Sequence, residues 1–248
     1  MAITANVTTA NWNTNGAWSG GVQPTAADDV IIPSGAIITI PNGVTVFARS
    51  LTVQSGGRLY WANSVTAVLA LGDGTAGTGN AAITISSGAT ITANNGNSTI
   101  NFLSTSATQQ SITTGGKSMP TFAFNGAGSS YILGDALTAG TITLNAGTFN
   151  TANYSMTYVT LSIGSGSTRT LTLGSSALTA TSVGMTYGNF GSCTVTANTA
   201  VITCTATPTS YNNIFVLNSF NWNGLSFVLT GGGQVSLNIA NATIGSLT

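Results

Sequence analysis

The chain has 248 residues, with four basic and four acidic side chains and a formal net charge of zero. Charged residues make up 3% of it, against roughly 25% in an ordinary domain. Four cations cannot neutralise a run of phosphates, which argues against nucleic acid as a partner. Hydrophobic residues make up 42%, which excludes a disordered chain. A surface with so little charge repulsion favours self-association.

Residues 1–29 are predicted to form an N-terminal cap or attachment segment. They contain Trp12 and Trp18 and show little alternation of polar and apolar residues. Folds built from stacked repeats need an end piece, because an uncapped end exposes apolar side chains and unpaired strand edges. Two large aromatic side chains ahead of the first regular strand suit this role better than that of a binding site.

Residues 30–186 are predicted to form a parallel β-helix, or β-solenoid, in preference to the alternative of antiparallel β-sandwich modules. In Val30–Tyr60, runs of apolar and β-branched residues are interrupted by Ser34-Gly35, Asn42-Gly43 and Ser55-Gly56-Gly57. Alternation with a period of two buries one face of each strand, while Gly and Asn tolerate positive φ at the corners. Stacked Thr and Asn side chains can hydrogen-bond along the axis, so such a fold needs few charges. An amphipathic helical pattern is absent from the sequence.

The predicted strands are short, and the region from Gln109 to Tyr131 is expected to be a longer loop or a minor boundary. The motif ITL at Ile142–Leu144 and the motif LTL at Leu171–Leu173 lie about 29 residues apart, a spacing typical of solenoid repeats. The predicted strands are Val30–Ile32, Ala36–Ile40, Val44–Phe47, Leu51–Val53, Arg58–Trp61, Val65–Leu71, Ala82–Ile85, Ala89–Thr92, Thr99–Leu103, Tyr131–Leu133, Thr141–Leu144, Thr148–Asn150, Val159–Ile163, Thr170–Leu173 and Ala177–Thr179.

Residues 187–248 are predicted to form a further β region that continues beyond residue 248. Here an antiparallel β-sandwich is an equal alternative, because it also has short strands separated by turns. The segment from Cys193 to Cys204 has the pattern of a hairpin. The two cysteines are expected either to pair across it or to be buried free thiols.

We predict no catalytic, cofactor-binding or metal-binding residue, and no enzymatic activity. Without His, zinc sites and Ser-His-Asp triads lack their usual residue. Asp28 and Asp29 point to opposite faces of an extended strand, so they cannot act together on one glycosidic bond. Gly72–Gly77 matches the pattern GxGxxG without the helix that a dinucleotide site needs, and Gly115–Ser118 fails the spacing of a P-loop.

Two weaker binding possibilities remain open at this stage. Oxygen ligands for calcium could come from Asp28 and Asp29 or from the surroundings of Asp73, although turn hydrogen bonds are the preferred interpretation for the first pair. Aromatic side chains could stack on sugar rings, although such residues more often belong to a core or a subunit contact. The candidates for sugar stacking are Tyr154, Tyr158, Tyr187, Trp222 and Phe227.

Two parts of the chain resemble known proteins. Asn11–Asn13, Trp18–Gly21, Pro24 and Asp28–Gly35 are similar to the start of β-helical repeat regions in large bacterial surface proteins and bacteriophage structural proteins. The segments GTITLNAGTFNT and STRTLTLGSSALTATS resemble the repeats of phage tail fibres, spikes and head fibres. This resemblance implies a homotrimer that decorates the particle, contacts other virion proteins or binds host-surface glycans. Some such spikes cleave polysaccharide, and the scarcity of carboxylates argues against that activity here.

The main hypothesis is therefore a non-enzymatic phage virion protein, with a bacterial extracellular adhesin or filament protein as the alternative. Met1–Thr4 shows no Sec-type signal, and no apolar run approaches the ~20 residues that span a bilayer. We accordingly expect the virion as location, or the cell surface under the alternative, and no membrane span.

Overall fold

The computed structural model of the protein describes residues 1–62, 66–72, 81–93, 98–164, 167–187, 193–205, 213–216, 221–229, 235–238 and 243–247. Within these ranges the chain forms 26 β-strands, a single-turn 3₁₀-helix at Asn15–Ala17 and no α-helix. They accordingly include no helix long and apolar enough to cross a membrane.

The strands are short, and most have three to five residues. In chain order they are β1 (Ala2–Thr4), β2 (Thr9–Asn11), β3 (Asp29–Ile32), β4 (Ile37–Ile40), β5 (Thr45–Ala48), β6 (Ser50–Val53), β7 (Arg58–Trp61), β8 (Ala67–Leu71), β9 (Ala81–Ile85), β10 (Thr90–Thr92), β11 (Ser98–Phe102), β12 (Gln109–Thr113), β13 (Ser118–Met119), β14 (Thr121–Phe124), β15 (Ser130–Leu133), β16 (Leu137–Leu144), β17 (Gly147–Asn150), β18 (Met156–Ile163), β19 (Arg169–Thr172), β20 (Ala177–Tyr187), β21 (Cys193–Thr196), β22 (Val201–Cys204), β23 (Asn213–Val216), β24 (Asn221–Leu229), β25 (Val235–Asn238) and β26 (Thr243–Leu247).

These strands form three stacked parallel sheets. The nine-stranded sheet has the order β1-β3-β6-β9-β12-β15-β17-β19-β21, and the four-stranded sheet has the order β10-β7-β4-β2. The eleven-stranded sheet runs β26-β24-β22-β20-β18-β16-β14-β11-β8-β5, with β13 also paired to β16, and β23 pairs separately with β25. Consecutive strands such as β3, β4 and β5 belong to three different sheets, and β6, β7 and β8 repeat that order. The chain therefore winds as a parallel β-solenoid, which confirms the predicted fold class.

The number of faces changes along the solenoid. The four-stranded sheet ends at β10, and β13 and β14 both pair with the single long strand β16. In β16, β18, β20 and β24, one long strand covers the width that two strands covered in earlier coils.

The predicted repeat of about 29 residues is wrong. The ITL motif lies in β16 and the LTL motif in β19, which belong to different sheets. Paired residues are separated by as few as 18 positions, from Ser130 to Thr148, and by as many as 32, from Leu51 to Ile83. The coils differ in length because the connections between strands vary, while the stacked strands keep their alternation.

The longer loop predicted between Gln109 and Tyr131 is also wrong, because β12, β13 and β14 lie there. Ile112, Phe122 and Phe124 point into the core and are buried. Their alternation with polar residues is what places these segments in the stack.

The region after residue 186 continues the winding in its described strands. Strands β22 and β24 pair in parallel, as do β24 and β26, so these strands do not form the alternative antiparallel sandwich. The hairpin predicted between Cys193 and Cys204 is wrong as well, because β21 and β22 belong to different sheets. Asn198, with a φ of 44°, lies in a turn that leads the chain to the next face. Both thiols are buried and neither forms a disulfide.

Residues 1–29 contribute the first strands of two sheets. Strand β1 pairs with β3 and β2 pairs with β4, both in parallel. A boundary after residue 29 stays a prediction, since this segment is joined to the solenoid by regular strand pairing.

The core is a set of columns that run along the axis. Val30, Leu51 and Ile83 stack in register in the nine-stranded sheet, and all three are buried. Each buried aliphatic side chain of this kind contributes about 1.5–3 kcal/mol through the hydrophobic effect.

An aromatic cluster fills the middle of the core. The rings of Phe102 and Phe124 stack with centroids 4.6 Å apart, and those of Phe124 and Phe149 stack at 4.8 Å. Phe122 and Tyr131 pack edge-on against Phe102. Burial raises the pKa of the Tyr131 hydroxyl above its ordinary value, since the ionised form would be poorly solvated there.

The corners also stack along the axis. The amide of Gly35 donates to the Gly56 carbonyl at 3.1 Å, and the Gly56 amide donates to Gly88 at 2.9 Å. Farther along, the amide side chain of Asn145 donates to Asn125 at 2.6 Å. Gly35 and Gly56 have φ values of 83° and 80°, as predicted for glycines at corners, and the Asn145–Asn125 contact is a predicted hydrogen bond along the axis.

Replacing Gly126 by Ala should destabilise the protein, because a Cβ atom there would lie 1.8 Å from the Ser104 carbonyl oxygen. We expect a loss of about 1–3 kcal/mol in the free energy of unfolding, measured by denaturant titration. Gly16→Ala is the matched control, since a Cβ atom there meets nothing within 4 Å. Equal losses in the two variants would contradict the stacking argument.

The Cys204 thiol should be unreactive in the folded protein, because burial raises its pKa to about 11. In a Cys193→Ala variant, a thiol-specific reagent at pH 8 should modify Cys204 only after unfolding. Rapid modification of the native variant would show that the thiol is accessible.

Candidate functional site

A cleft of about 380 Å³ opens at the N-terminal end of the solenoid. One wall is β5, the last strand of the eleven-stranded sheet, which pairs only with β8 among the described strands. The opposite wall comes from the first coil. The lining residues are Trp12, Asn13, Gln23, Pro24, Val44, Thr45, Val46 and Phe47.

The deep part of the cleft rests on a buried tryptophan pair. The rings of Trp12 and Trp18 have centroids 5.1 Å apart, and the Trp18 Nε1 donates to the Trp12 carbonyl at 2.7 Å. The Trp12 amide donates to Thr39 at 2.8 Å, which fixes this residue against β4. The Trp12 Nε1 is buried and has no hydrogen-bond partner among the described residues. The buried tryptophan pair thus forms an apolar support beneath the cleft.

The rim of the cleft is neutral. Asn13, Gln23 and Thr45 are exposed and offer amide and hydroxyl groups, and Phe47 keeps 42% of its surface exposed. No charged side chain is among the residues that line it. This combination suits an uncharged ligand with hydroxyl or amide groups and an apolar face, such as a sugar ring.

Asp28 is held by a turn close to the amino terminus. Its Oδ2 accepts hydrogen bonds from the Thr25 amide at 3.0 Å and the Thr25 hydroxyl at 2.7 Å, and its Oδ1 lies 3.5 Å from the Met1 amino group. Burial raises the pKa of this carboxyl, but the Thr25 donors and the amino group outweigh it, so the pKa lies below its ordinary value. The turn interpretation of Asp28 is confirmed.

Asp29 is paired across one coil. Arg49 donates to both of its oxygens, from Nε at 2.8 Å and from Nη2, and the Ser50 hydroxyl donates at 2.6 Å. The hydrogen bonds from Arg49 are the main cause of the lowered pKa of Asp29. Both aspartates therefore use their oxygens on protein donors, and the described residues contain no group of three potential metal ligands. The calcium hypothesis at Asp73 falls outside the described residues.

Asp135 also has a structural role. It accepts hydrogen bonds from the amides of Thr114 and Gly115, at 2.8 and 2.6 Å, and so supports the turn after β12. The Gly115–Ser118 segment accordingly forms this turn and the start of β13, in a place where a P-loop would need a helix. Of the Gly72–Gly77 segment, only Gly72 is described.

Of the five aromatic residues considered for sugar stacking, Tyr154 and Tyr158 have described side chains, and these two do not share a surface. Tyr154 is exposed, whereas Tyr158 is 1% exposed and belongs to the core. Burial raises the pKa of the Tyr158 hydroxyl above its ordinary value. Tyr187, Trp222 and Phe227 lie in strands, and their side chains are outside the described part of the structure.

Two features escaped the sequence analysis. The cleft depends on β5 being the end strand of its sheet, which no local pattern reveals. The sequence analysis treated Arg169 only as one of the four cations. In β19 its side chain lies on the same inward face as that of Leu171, and it is completely buried. The sequence TRTLTL shows the alternation that places Arg169 and Leu171 on one face of the strand.

No protein-family model, curated protein or solved structure matches this chain.

The ion pair of Asp29 and Arg49 should make stability depend on acidity. The pKa of Asp29 in the folded protein lies below the ordinary value of 3.8. The stabilisation that the ionised carboxylate gives the folded state is therefore fully present above pH 3.8 and is lost as the pH falls through the folded-state pKa. The free energy of unfolding of Asp29→Asn should therefore fall less than that of the original chain on acidification below about pH 4. We expect the difference between the two to be roughly 1 kcal/mol or less, because the pair is partly exposed. Acid titrations of thermal unfolding would measure this.

Arg49→Met provides the matched test, since it removes the donor and keeps the carboxylate. It too should flatten the acid dependence. If both variants kept the acid dependence of the original chain, the pair would contribute nothing to it.

Proposed function

We propose that the protein is a non-enzymatic structural component of a bacteriophage particle, in a tail fibre, spike or head fibre, that assembles as a homotrimer and contacts other virion proteins or host-surface glycans. The observation that carries the proposal is the continuous parallel solenoid with an almost uncharged outer surface. Such a fold provides reach and rigidity, and the sequence resemblance to phage fibre repeats connects it with a virion.

The chemistry of the described residues supports a structural role. Asp28, Asp29 and Asp135 each accept hydrogen bonds from protein donors and so hold the fold locally. A glycosidase would instead need two carboxylates that face one bond across a cleft. The cleft at the N-terminal end is lined by neutral groups only.

The outer face of the eleven-stranded sheet supports self-association. Thr138, Thr157, Thr179 and Thr203 form a column across four successive strands. Uncharged hydroxyl columns of this kind can approach an identical face without charge repulsion. Val159 on β18 is 43% exposed and adds an apolar contact to this face. We therefore assign the contacts between subunits to this sheet.

The cleft is suited to a neutral glycan. A sugar ring could pack its apolar face against Phe47, while the amide groups of Asn13 and Gln23 bind its hydroxyl groups. This contact would place host recognition at the end of the rod and leave the long faces for assembly.

The purified protein should be a trimer by light scattering and appear as a threefold fibre by electron microscopy. Val159→Lys should shift it towards monomer, because three buried like charges would face one another in the assembly. Thr52→Lys is the matched control on the nine-stranded sheet, and it should leave the trimer intact. If the original chain were a stable monomer, the proposal would be contradicted. If both variants dissociated equally, the contact between subunits would not lie specifically on the eleven-stranded sheet.

A further inference from the structure

Arg169 is a charged residue inside the solenoid. It is the first residue of β19, where it pairs with Gly147 of β17 on one side and Cys193 of β21 on the other. Its inward phase is shared with Leu171, and both residues are 0% exposed. The guanidinium group is therefore enclosed by the coils.

The guanidinium has no partner in the described structure. Among the described residues, none makes a hydrogen bond with Nε, Nη1 or Nη2 of Arg169. An arginine keeps its charge in proteins, and a buried charge is strongly destabilising unless it is paired and hydrogen-bonded. The position thus requires a group that supplies both negative charge and acceptors.

The carboxylates of the described residues are hydrogen-bonded to residues other than Arg169. Asp28 is bound by Thr25, and Asp29 by Arg49. Asp135 accepts from Thr114 and Gly115. The fourth aspartate, Asp73, is not among the described residues. The described carboxylates accordingly provide no counter-charge for Arg169.

The residue that pairs with Arg169 in the neighbouring coil is a glycine, Gly147, which is packed closely against the coil before it. Gly147 has a φ of 75°, and a Cβ atom there would lie 2.3 Å from the Ser129 Oγ. Ser129 is itself buried and donates its hydroxyl to the Gly126 carbonyl at 2.7 Å.

We propose that Arg169 binds a small inorganic anion, such as chloride or phosphate, inside the coils formed by β17, β19 and β21. The planar guanidinium offers five N–H donors in a fixed arrangement that suits such ions. The bound anion neutralises the buried charge and so becomes part of the folded core. Its binding couples to folding, because the unfolded chain has no such enclosed position.

Thermal unfolding at constant ionic strength tests this proposal. Replacing sodium gluconate, whose anion is too large to be enclosed, by sodium chloride or phosphate should raise Tm by roughly 5 °C or more at concentrations far above Kd. Arg169→Met should abolish this difference and be at least as stable as the original chain in gluconate, because it removes an unpaired buried charge. Arg58→Met is the matched control on an exposed arginine and should keep the full response.

Three results would overturn the proposal. The first is an original chain whose Tm does not respond to small anions, and the second is an Arg169→Met variant that responds as strongly as the original chain. The third is a Cys193→Ala variant that responds much more strongly than the original chain, which would make a thiolate at Cys193 the counter-charge in the original protein.

Crystals soaked in bromide give a direct second measurement that needs no variant. The anomalous difference map of the original chain should show a peak within hydrogen-bonding distance of the Arg169 guanidinium. A map with the guanidinium bound to backbone carbonyl groups and no peak beside it would contradict the proposal, even if Arg169→Met failed to fold.

Discussion

The stacking of each strand on its equivalent one coil away is the constraint on which the rest of the structure depends. Adjacent parallel strands lie about 4.8 Å apart, so every feature of one coil has to fit its copy at that distance. Glycines follow from this spacing where backbones approach closely, as at Gly126 against Ser104. The column of Val30, Leu51 and Ile83 and the ladder that joins Asn125 to Asn145 obey the same rule.

The scarcity of charge follows from the same geometry. A charged residue in a stacked column would meet a like residue one coil away unless its neighbours differ. Other charged groups have a specific partner, as Asp29 has in Arg49, support a turn, as Asp135 does, or lie exposed to solvent, as Arg58 does. Arg169 is the exception, and its isolation in the core led us to propose a bound anion.

Local patterns were sufficient to predict the fold class. Strand β7 at Arg58–Trp61 and the corner at Gly56 were predicted within a residue, because alternation and turn chemistry are local properties. Coil length is not local, so the ITL and LTL motifs were wrongly treated as equivalent positions. The cleft depends on which strand lacks a neighbour, and the partner of Asp29 depends on register across a coil. Arg169 alternates with polar residues in the same way as Leu171, which places its side chain inside the solenoid. The sequence analysis did not predict this, because a charged residue is expected on the surface.

The change at β16, from three short strands in a coil to one long strand and one short strand, has a mechanical consequence. An eight-residue strand extends about 26 Å, whereas the four-residue strands of the early coils extend about 13 Å. A rod with an elongated cross-section resists bending across its wide dimension more than across its narrow one. The later coils therefore have a preferred plane of flexure, while the three-faced coils near β3, β4 and β5 resist bending more evenly in all directions.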